Sequence, residues 1–450
     1  MNPYIQYMYS YPHKTAYRPL SGVNLKDYGE RIKGPGRGLY LHVPFCRSKC
    51  GYCNLFSVTG AGEEEMDSYL NGVERQISQY GQVLAPGGTS FAEFTIGGGT
   101  PLLLTPRQLD RVFAMTEQYL RMEENRDVII ETAPNQTDRE KLSLLKSAGV
   151  TRVSMGIQSF HQEELKTLKR GHSAKKAREA LDLLMAFDFP CVNIDFIYGI
   201  PGQKTETLLK SLREAVAFEP QEIFLYPLYV KHGVRLEREG VVPEPENAYM
   251  QYCEASRFLR AEGFRQDSMR RFVRPGKGGA AQENREFSDC GFSASLALGC
   301  GGRSYLGRLH FCTPYGVTPQ ECAGQLRRFE ATEDFTAITH GILLSEDEEK
   351  RRYAVRHLLI RPGVHTGEYR ERFGRDIRED FPFLLKWEEQ GLVGLEGGTY
   401  FVLTDKGMGF ADCLGPRFIS DDVRRKMEEW EEVHGLGRSY GSVQGKSEEL

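Results

Sequence analysis

The 450-residue sequence predicts an α/β protein with a partial (β/α)6 barrel and a C-terminal helical, winged-helix-like domain. Short β-branched or apolar runs alternate with longer amphipathic stretches from Gly38 to about Lys231. This alternation requires parallel strands that are joined by helical crossovers. Beyond residue 341, helical patterns dominate and are followed by one hairpin pattern.

The six strand candidates are short runs of β-branched, aromatic and aliphatic residues. They begin at Gly38, Phe91, Asp127, Thr151, Cys191 and Gln221, with the sequences GLYLHVPF, FAEFTI, DVIIE, TRVSMGIQ, CVNIDFI and QEIFLYPLY. Barrel enzymes place their chemistry at the carboxyl ends of the strands. The residues at or after the ends of these runs are therefore the candidates for a functional site.

Amphipathic helical patterns separate the strand candidates. Apolar residues recur at spacings of three and four in EEEMDSYLNGVERQISQY and TPRQLDRVFAMTEQYL. Thr105 and Pro106 suit the N-cap and the first turn of the second of these helices. A further helix is expected from Asn247 to Ala261.

Four regions are expected along the chain. They are an N-terminal arm (1–37), a core (38–330), a C-terminal winged-helix-like domain (341–420), and a charged helix with a polar tail (421–450). From about residue 267 the core is rich in Gly, Ser, Arg and Cys with weak periodicity, so loops covering the barrel mouth are expected there.

The C-terminal region shows two helical patterns and one hairpin pattern. Helices are expected in SEDEEKRRYAVRHLLIRPGV and in IREDFPFLLKWEEQG. The hairpin LVGLEGGTYFVLT is expected to turn at Gly397–Gly398. The last charged helix is expected in DDVRRKMEEWEEV.

Composition excludes several classes of protein. The 58 basic and 62 acidic residues give a net charge of −4, so no net basic field attracts nucleic acid or an anionic membrane. No apolar run approaches the roughly 18 residues that span a bilayer, and the N-terminus lacks the apolar segment of a signal peptide. Three of the ten cysteines fall within eight residues, which in a cytoplasmic protein indicates metal or redox chemistry.

The strongest motif is a CxxxCxxC loop directly after the first strand candidate, with Cys46, Cys50 and Cys53. Three thiolates can hold three irons of a [4Fe–4S] cluster and leave the fourth iron open to chelation by S-adenosylmethionine (SAM). The alternative is a structural zinc loop, which requires a fourth Cys or His ligand. His42 is the one nearby donor, and its place in an alternating strand makes it a poor fourth ligand.

A glycine-rich segment, Gly97-Gly98-Gly99-Thr100-Pro101, follows the second strand candidate. Glycines allow backbone N–H and C=O groups to approach a small ligand closely. With the cysteine motif and the aromatic residue before its last cysteine, this arrangement resembles the radical SAM superfamily, in which such a segment binds the methionine amine of SAM.

One branch of that superfamily resembles the chain most closely: the oxygen-independent coproporphyrinogen III oxidases, with heme chaperones and radical SAM methyltransferases as relatives. The resemblance runs from about Tyr7 to Ser420. It is carried by YLHVPFCRSKCGYCNLF, FTIGGGTP, VIIETAPN, RVSMGIQSF, LKRGH, VNIDFIYGIPGQ and GLVGLEGGTYFVLTDKG.

The resemblance implies a set of site residues. Cys46, Cys50 and Cys53 match the cluster ligands, and the residues that match the SAM contacts are Tyr40, Tyr52, Gly98, Gly99, Thr100, Glu131, Gln158, Arg170, Asp195 and Tyr229. Arg170 suits a methionine carboxylate because its guanidinium binds carboxylates in bidentate fashion. Glu131, Gln158 and Asp195 are suited to ribose hydroxyls.

The resemblance also implies an activity and partners. The expected activity is that of an oxidoreductase of porphyrin and heme biosynthesis, in which a 5′-deoxyadenosyl radical initiates oxidative decarboxylation of a porphyrinogen propionate. One SAM molecule is implied, or two if the chain is a methyltransferase. A tetrapyrrole substrate and an electron donor such as flavodoxin or ferredoxin are expected, whereas nucleic acid and membrane partners are not.

The N-terminal segment Tyr9-Ser10-Tyr11-Pro12 resembles the Tyr–Pro arm of the oxidases, which the heme chaperones lack; alternatively it is an aromatic strap packed on the barrel. Local cations are expected to bind the propionates of a tetrapyrrole. The candidates are His13, Lys14, Arg18, Arg270, Arg271, Arg274, Arg303 and Arg308.

Two departures keep the alternatives open. Leu55 stands where the oxidases carry a fourth, non-ligating cysteine, which weakens a strict assignment to decarboxylation. Glu283 replaces the histidine of a motif of the heme chaperones, which weakens an assignment to heme carriage.

A second metal site has candidate ligands in Cys290, Cys300, Cys312 and Cys322. Their spacing is wide, and buried free thiols are the expected outcome.

Overall fold

The computed structural model describes residues 2–8, 10–276, 294–316 and 318–434. The chain divides into two compact units. The core unit comprises Arg18–Pro243 and Arg274–Leu343, and the second unit comprises Met1–Tyr17, Glu244–Val273 and Leu344–Leu450. The second unit thus groups segments that are distant in the sequence, and the domain boundaries expected above stay a prediction.

Six strands form the parallel sheet of the core unit. They are β1 (Arg37–Val43), β2 (Phe91–Gly98), β3 (Met122–Thr132), β4 (Arg152–Gln158), β5 (Cys191–Tyr198) and β6 (Glu222–Pro227). Each strand pairs in parallel with the next one along the chain. The predicted α/β class and all six predicted strands are confirmed.

Helical crossovers connect these strands, as the sequence predicts. They are Glu63–Leu84, Pro106–Tyr119, Arg139–Ser147, Gln162–Thr167, Ala174–Met185 and Thr205–Ala217. The predicted N-cap is also present. The Thr105 hydroxyl accepts a hydrogen bond from the Gln108 N–H, and the Gln108 side chain accepts one from the Thr105 N–H at 3.0 Å. This reciprocal capping box satisfies two backbone donors that the helix leaves without a partner.

The expectation of loops from residue 267 onward is wrong for much of that segment. Four strands of this segment extend the sheet beyond β1: β7 (Ser295–Leu298), β8 (Arg303–Leu306), β9 (Leu309–Cys312) and β10 (His340–Leu343). The two-residue strand Arg18–Pro19 pairs with β10 at the edge. The strand β7 is parallel to β1, and the others continue antiparallel. Their four-residue length is too short for a periodic pattern to emerge from the sequence. A helix, Pro319–Glu330, follows β9.

The second unit is mainly helical and carries a small antiparallel sheet. Its longer helices are Pro245–Ala261, Glu346–Leu358, Thr366–Phe373 and Asp421–Val433. The sheet contains β11 (Val364–His365), β12 (Val393–Glu396) and β13 (Tyr400–Leu403). The predicted hairpin turn is confirmed, because Gly397 and Gly398 have φ angles of 58° and 71°, the left-handed values that a tight hairpin requires.

The single helix expected in IREDFPFLLKWEEQG is instead two helices, Ile377–Asp380 and Phe383–Glu389. Pro382 lies between them, with no N–H to donate. A proline also disfavours the helical conformation in the residue before it. Phe381 accordingly has φ −129° and ψ 75°, outside the helical region.

The first part of the N-terminal arm, Met1–Tyr17, belongs to the second unit, and the rest belongs to the core unit. Tyr11 is fully buried, and its hydroxyl donates to the Glu348 carboxylate. The Ser420 hydroxyl donates to the same carboxylate at 2.5 Å, and the Ser420 N–H donates to the Tyr11 hydroxyl at 3.2 Å. Tyr11 is therefore a buried strap of this unit, while Tyr9 lies outside the described residues.

Within the described part of the chain, no helix has the length and apolar character needed to cross a bilayer. The cytoplasmic location that the cysteine usage suggests stays a prediction.

The capping box at Thr105 can be tested by substitution. Thr105→Ala removes the acceptor for the Gln108 N–H, and we expect it to lower the free energy of unfolding by about 1 kcal/mol. Thr105→Ser retains the hydroxyl and serves as the control. Urea unfolding followed by circular dichroism measures both variants, and equal midpoints for Thr105→Ala and the unsubstituted protein would contradict the prediction.

Candidate active site

The cysteine loop follows β1 and is closed by a short parallel pair, Phe45–Cys46 with Val58–Thr59. Cys46, Cys50 and Cys53 are half-buried free thiols within it. Backbone hydrogen bonds anchor the loop on its far side, where the Gly51 N–H donates to the Leu168 carbonyl at 2.9 Å. The three thiols are thus held at the carboxyl end of β1, as the sequence predicts.

The three thiols can all become thiolates only if positive charge lies beside them, because neighbouring thiolates repel one another. Burial raises the pKa of Cys46, and burial with repulsion from Cys50 raises the pKa of Cys53 to about 11. The buried Arg170 guanidinium supplies part of the required charge, because its Nη1 donates to Cys50 Sγ at 3.0 Å. Iron would supply the rest, since metal ions take cysteine as the thiolate.

A single zinc ion and a [4Fe–4S] cluster require different arrangements of the cysteines. Among the described residues, no three His, Cys, Asp or Glu side chains are grouped so that they could hold one metal ion. The donors of a single zinc ion converge on one point, whereas each thiolate of a [4Fe–4S] cluster binds a different iron. Cys300 and Cys322 are buried thiols and Cys312 is a half-buried thiol, none of them in a disulfide, and Cys290 lies outside the described residues.

The glycine segment after β2 lies directly against the cysteine loop. A Cβ atom at Gly99 would lie 2.6 Å from the Phe45 carbonyl oxygen and 3.0 Å from Cys46 Sγ. The N–H of Thr100 donates to that Phe45 carbonyl at 2.8 Å. Gly98 has φ 117°, a backbone conformation that residues with a side chain rarely adopt. The segment therefore requires glycine for close packing and for backbone conformation.

Two carboxylates lie near the carboxyl ends of β3 and β5. The Glu131 carboxylate accepts a hydrogen bond from the Gly98 N–H at 3.1 Å, and its side chain is solvent-accessible although protein surrounds it. The protein around Glu131 limits hydration of its carboxylate and raises its pKa to about 7, and the charge of Asp195 contributes. Burial also raises the pKa of Asp195 to about 6, against a hydrogen bond from Asn193 that lowers it. Both groups are acceptors when ionised, as ribose recognition requires.

The end of β4 departs from regular strand geometry. Gln158 has φ 73°, and the pairing register with β5 shifts between Gly156 and Gln158. Arg170 packs at this irregularity, where its Nη2 donates to the Gly156 carbonyl at 2.5 Å. Strained backbone of this kind concentrates at ligand-binding sites.

Arg170 retains an unused hydrogen-bond donor. Its Nε is buried and has no partner among the described residues, whereas Nη1 and Nη2 bind Cys50 and Gly156. A buried guanidinium N–H without an acceptor is costly unless a ligand satisfies it. This orphaned donor beside the cysteine loop fits the carboxylate of SAM, and the predicted cofactor therefore fits the residues present.

Three tyrosines complete the predicted set. The Tyr40 hydroxyl lies 3.2 Å from His42 Nδ1. Tyr52 packs against the apolar cluster that contains Leu168 and Leu236, and burial raises the pKa of its phenol. Tyr229 lies just beyond β6, with Lys231 Nζ 5.9 Å from its ring centre.

The structure brings the predicted site residues together in two groups. One group contains the three cysteines, Thr100 and Arg170, and the other contains Gly98, Glu131 and Asp195. The roles of all these residues stay predictions.

Sequence reasoning missed a polar network inside the barrel. Arg152 Nε donates to Glu222 at 2.8 Å, and the Asn193 amide donates to Ser154 at 2.6 Å and to Asp195 at 2.7 Å. The signal was available for four of these residues, since Arg152 and Ser154 alternate in TRVSMGIQ, and Asn193 and Asp195 alternate in CVNIDFI. Such positions share one face of a strand.

Two of the cations expected to bind propionates form ion pairs with carboxylates of the protein instead. Arg270 donates to Asp412, both side chains are at most 5% exposed, and the Tyr7 ring lies 3.7 Å from the guanidinium. Arg271 pairs with Asp267 at 3.0 Å. These partners within the second unit neutralise both guanidinium groups. Arg270 and Arg271 therefore belong to structural ion pairs, which corrects the expectation that they bind propionates.

The comparisons with known proteins agree with this geometry. Residues 40–215 match the radical SAM superfamily. The heme chaperone HemW of Mycobacterium tuberculosis is 32% identical over 283 residues, 61% of this chain and 71% of the chaperone. The oxygen-independent coproporphyrinogen III oxidase of Escherichia coli is 24% identical over 415 residues, 87% of this chain and 89% of the oxidase.

A solved structure shares the fold over nearly the whole chain. Coproporphyrinogen III oxidase (HemN) from Escherichia coli, a radical SAM enzyme, matches with a TM-score of 0.77 at 22% sequence identity. The match covers 92% of this chain and 96% of that one. The predicted barrel architecture is confirmed by this likeness.

The contact between the glycine segment and the cysteine loop generates a prediction. In Gly99→Ala the added Cβ must displace Phe45 or Cys46, so we expect the anaerobically reconstituted variant to hold less than about half the iron and half the roughly 400 nm absorbance of the unsubstituted protein. Cys46→Ala should lose both signals. Gly324→Ala, where a Cβ would meet nothing within 4 Å, is the control, and full iron content in Gly99→Ala would refute the packing argument.

Proposed function

The chain belongs to the radical SAM family that includes the oxygen-independent coproporphyrinogen III oxidases and the heme chaperones, and from this membership we propose that it decarboxylates a porphyrinogen propionate. The observation that carries the proposal is the buried Arg170, which touches Cys50 and keeps Nε without a partner among the described residues. It supports a site in which SAM and a [4Fe–4S] cluster lie side by side.

A [4Fe–4S] cluster held by Cys46, Cys50 and Cys53, with SAM beside it, would supply a 5′-deoxyadenosyl radical that removes a hydrogen atom from the substrate propionate. Loss of CO₂ from the propionate would then leave a vinyl group on the substrate, with the remaining electron passing to a one-electron redox carrier protein. We assign to the protein the tasks of binding, orientation and exclusion of water, because in cofactor enzymes the cofactor carries the difficult chemistry.

Individual residues divide these tasks. Arg170 is assigned the methionine carboxylate, since its guanidinium is buried and charged. Glu131 and Asp195 are assigned the ribose hydroxyls, which need ionised acceptors. The glycine segment, Gly97–Gly99, is assigned the methionine amine through its backbone groups.

The substrate class rests on the relatives. An oxidase relative is similar over 87% of this chain, and the solved oxidase shares the fold over 92% of it. We propose a tetrapyrrole substrate, bound with help from Arg274, Arg303 and Arg308 of the core unit. A one-electron carrier protein such as flavodoxin or ferredoxin is the proposed electron donor.

Heme carriage is the second candidate function. The heme chaperone of Mycobacterium tuberculosis is 32% identical, which is higher than the 24% of the Escherichia coli oxidase. The sequence carries Glu283 at the position of the chaperone histidine, which favours turnover over heme binding. Glu283 lies outside the described residues, so this argument is one of sequence alone.

Substitution of Arg170 tests its assigned role. Arg170→Lys keeps the charge but loses the planar fork, and we expect SAM affinity to fall about tenfold or more, since hydrogen bonds between charged groups contribute about 1.5–3 kcal/mol. Calorimetric titration of cluster-reconstituted protein measures the affinity, and iron content shows whether the cysteine loop is intact. Arg126→Lys, at a surface ion pair with Glu117, is the control. Unchanged affinity in Arg170→Lys would make Arg170 a structural residue.

Small products separate the candidate functions. With coproporphyrinogen III and a reductant under anaerobic conditions, we expect substrate-dependent 5′-deoxyadenosine and CO₂, without S-adenosylhomocysteine. Mass spectrometry follows each species. Stoichiometric S-adenosylhomocysteine would indicate methyl transfer instead, and a heme Soret band with tight heme binding and no substrate turnover would indicate a chaperone.

A further inference from the structure

Asn193 lies at the centre of the polar network in the barrel interior. Its side chain is only 1% exposed. The amide Nδ2 donates to Ser154 Oγ at 2.6 Å and to Asp195 Oδ1 at 2.7 Å, so both N–H groups have acceptors. Its Oδ1 has no hydrogen-bond partner among the described residues, which leaves a buried acceptor for a ligand or a water molecule.

The sheet register places this amide within a layer of polar residues. Glu131 pairs with Ser154, Ser154 with Asn193, and Asn193 with Glu222, across four neighbouring strands. Arg152 lies two residues before Ser154 on the same face of β4 and donates to Glu222. Asp195 lies two residues after Asn193, nearer the carboxyl end of β5, where the site is expected.

Several charges surround Asp195. Arg152 and Arg170 favour its ionised form, while Glu222 opposes it. Asp195 in turn raises the pKa values of Glu131 and Tyr52. Within this group, the amide of Asn193 touches Asp195 directly and can determine its orientation as well as its charge, because a donor bonded to a carboxylate favours the ionised form.

We propose that Asn193 is a positioning residue that holds Asp195 as an oriented hydrogen-bond acceptor for the ribose hydroxyls of SAM. This inference rests on the proposed function, since it requires SAM at this site. The layer beneath, with Arg152 held by Glu222 and Ser154 bonded to Asn193, keeps the amide from rotating. Sequence resemblance assigned a role to Asp195 and none to Asn193.

Two variants that keep the number and the branching of the side-chain heavy atoms test the proposal. Asn193→Leu removes the donor, and Asn193→Asp removes it and adds a negative charge beside Asp195. SAM is titrated by calorimetry into cluster-reconstituted full-length protein, without reductant, between pH 6 and pH 8.5. Affinity in the unsubstituted protein should fall as the pH falls, because protonation of Asp195 and Glu131 removes acceptors for the ribose.

The variants should differ in both affinity and pH dependence. At pH 8 we expect Asn193→Leu to bind SAM about two- to tenfold more weakly, with the midpoint of the pH dependence about half to one unit higher. Asn193→Asp should shift the midpoint further in the same direction, because a like charge opposes ionisation of Asp195. A purely structural role would not produce this order of midpoints.

Thr116→Val is the control, because Thr116 is a buried polar residue of the helix Pro106–Tyr119 whose hydroxyl donates to the Val112 carbonyl at 2.8 Å, outside the polar layer. It should stay within about twofold of the unsubstituted affinity, with the same midpoint. Equal midpoints in both Asn193 variants and the unsubstituted protein, or an equal shift in Thr116→Val, would overturn the inference. If Asn193→Leu does not fold, the midpoint of Asn193→Asp decides. Failure of the cluster-loaded unsubstituted protein to bind SAM would instead overturn the proposed function.

Discussion

The contact between two loops at the carboxyl ends of β1 and β2 constrains the rest of the site. Backbone hydrogen bonds from Gly99 to Val43 and from Thr100 to Phe45, both 2.8 Å, join the glycine segment to the start of the cysteine loop. A side chain at residue 99 would prevent this approach. The Gly98 N–H also donates to the Glu131 carboxylate. Backbone groups therefore fix the ends of β1 and β2 relative to each other, and one side chain ties the end of β3 to them.

The sequence determines most of the barrel because each strand and crossover carries its own periodic pattern. All six parallel strands and the capping box at Thr105 follow from residues that are close together in the sequence. The extension β7–β10 does not, because four-residue strands are stabilised by pairing with distant segments. The helix break at Pro382 could have been predicted, since the effect of proline on the preceding residue is local.

The site residues also divide into those that a local sequence pattern predicts and those that depend on distant partners. The spacing of the cysteines and the glycine segment predicts a cluster-binding loop from sequence alone. The hydrogen bond from Arg170 to Cys50 joins residues 120 positions apart, so no local pattern reveals it. Arg270 shows the reverse case, because a basic residue that suggested substrate binding is neutralised by Asp412, 142 positions away. Charged residues acquire their roles from long-range partners, and sequence reasoning is weakest for them.

The polar interior of β3–β6 is better explained by ligand binding than by stability. Bulky branched residues dominate the interior of closed (β/α)8 barrels, and a buried ion pair such as Arg152 with Glu222 adds little net stability compared with apolar packing. The layer instead creates an environment in which burial raises the pKa values of Asp195 and Glu131 to about 6 and about 7. At these values the two carboxylates are close to the point at which they change from acceptor to donor. Small changes in neighbouring charge or hydrogen bonding then decide whether they are ionised, a sensitivity that the proposed SAM site would gain and that an apolar layer could not provide.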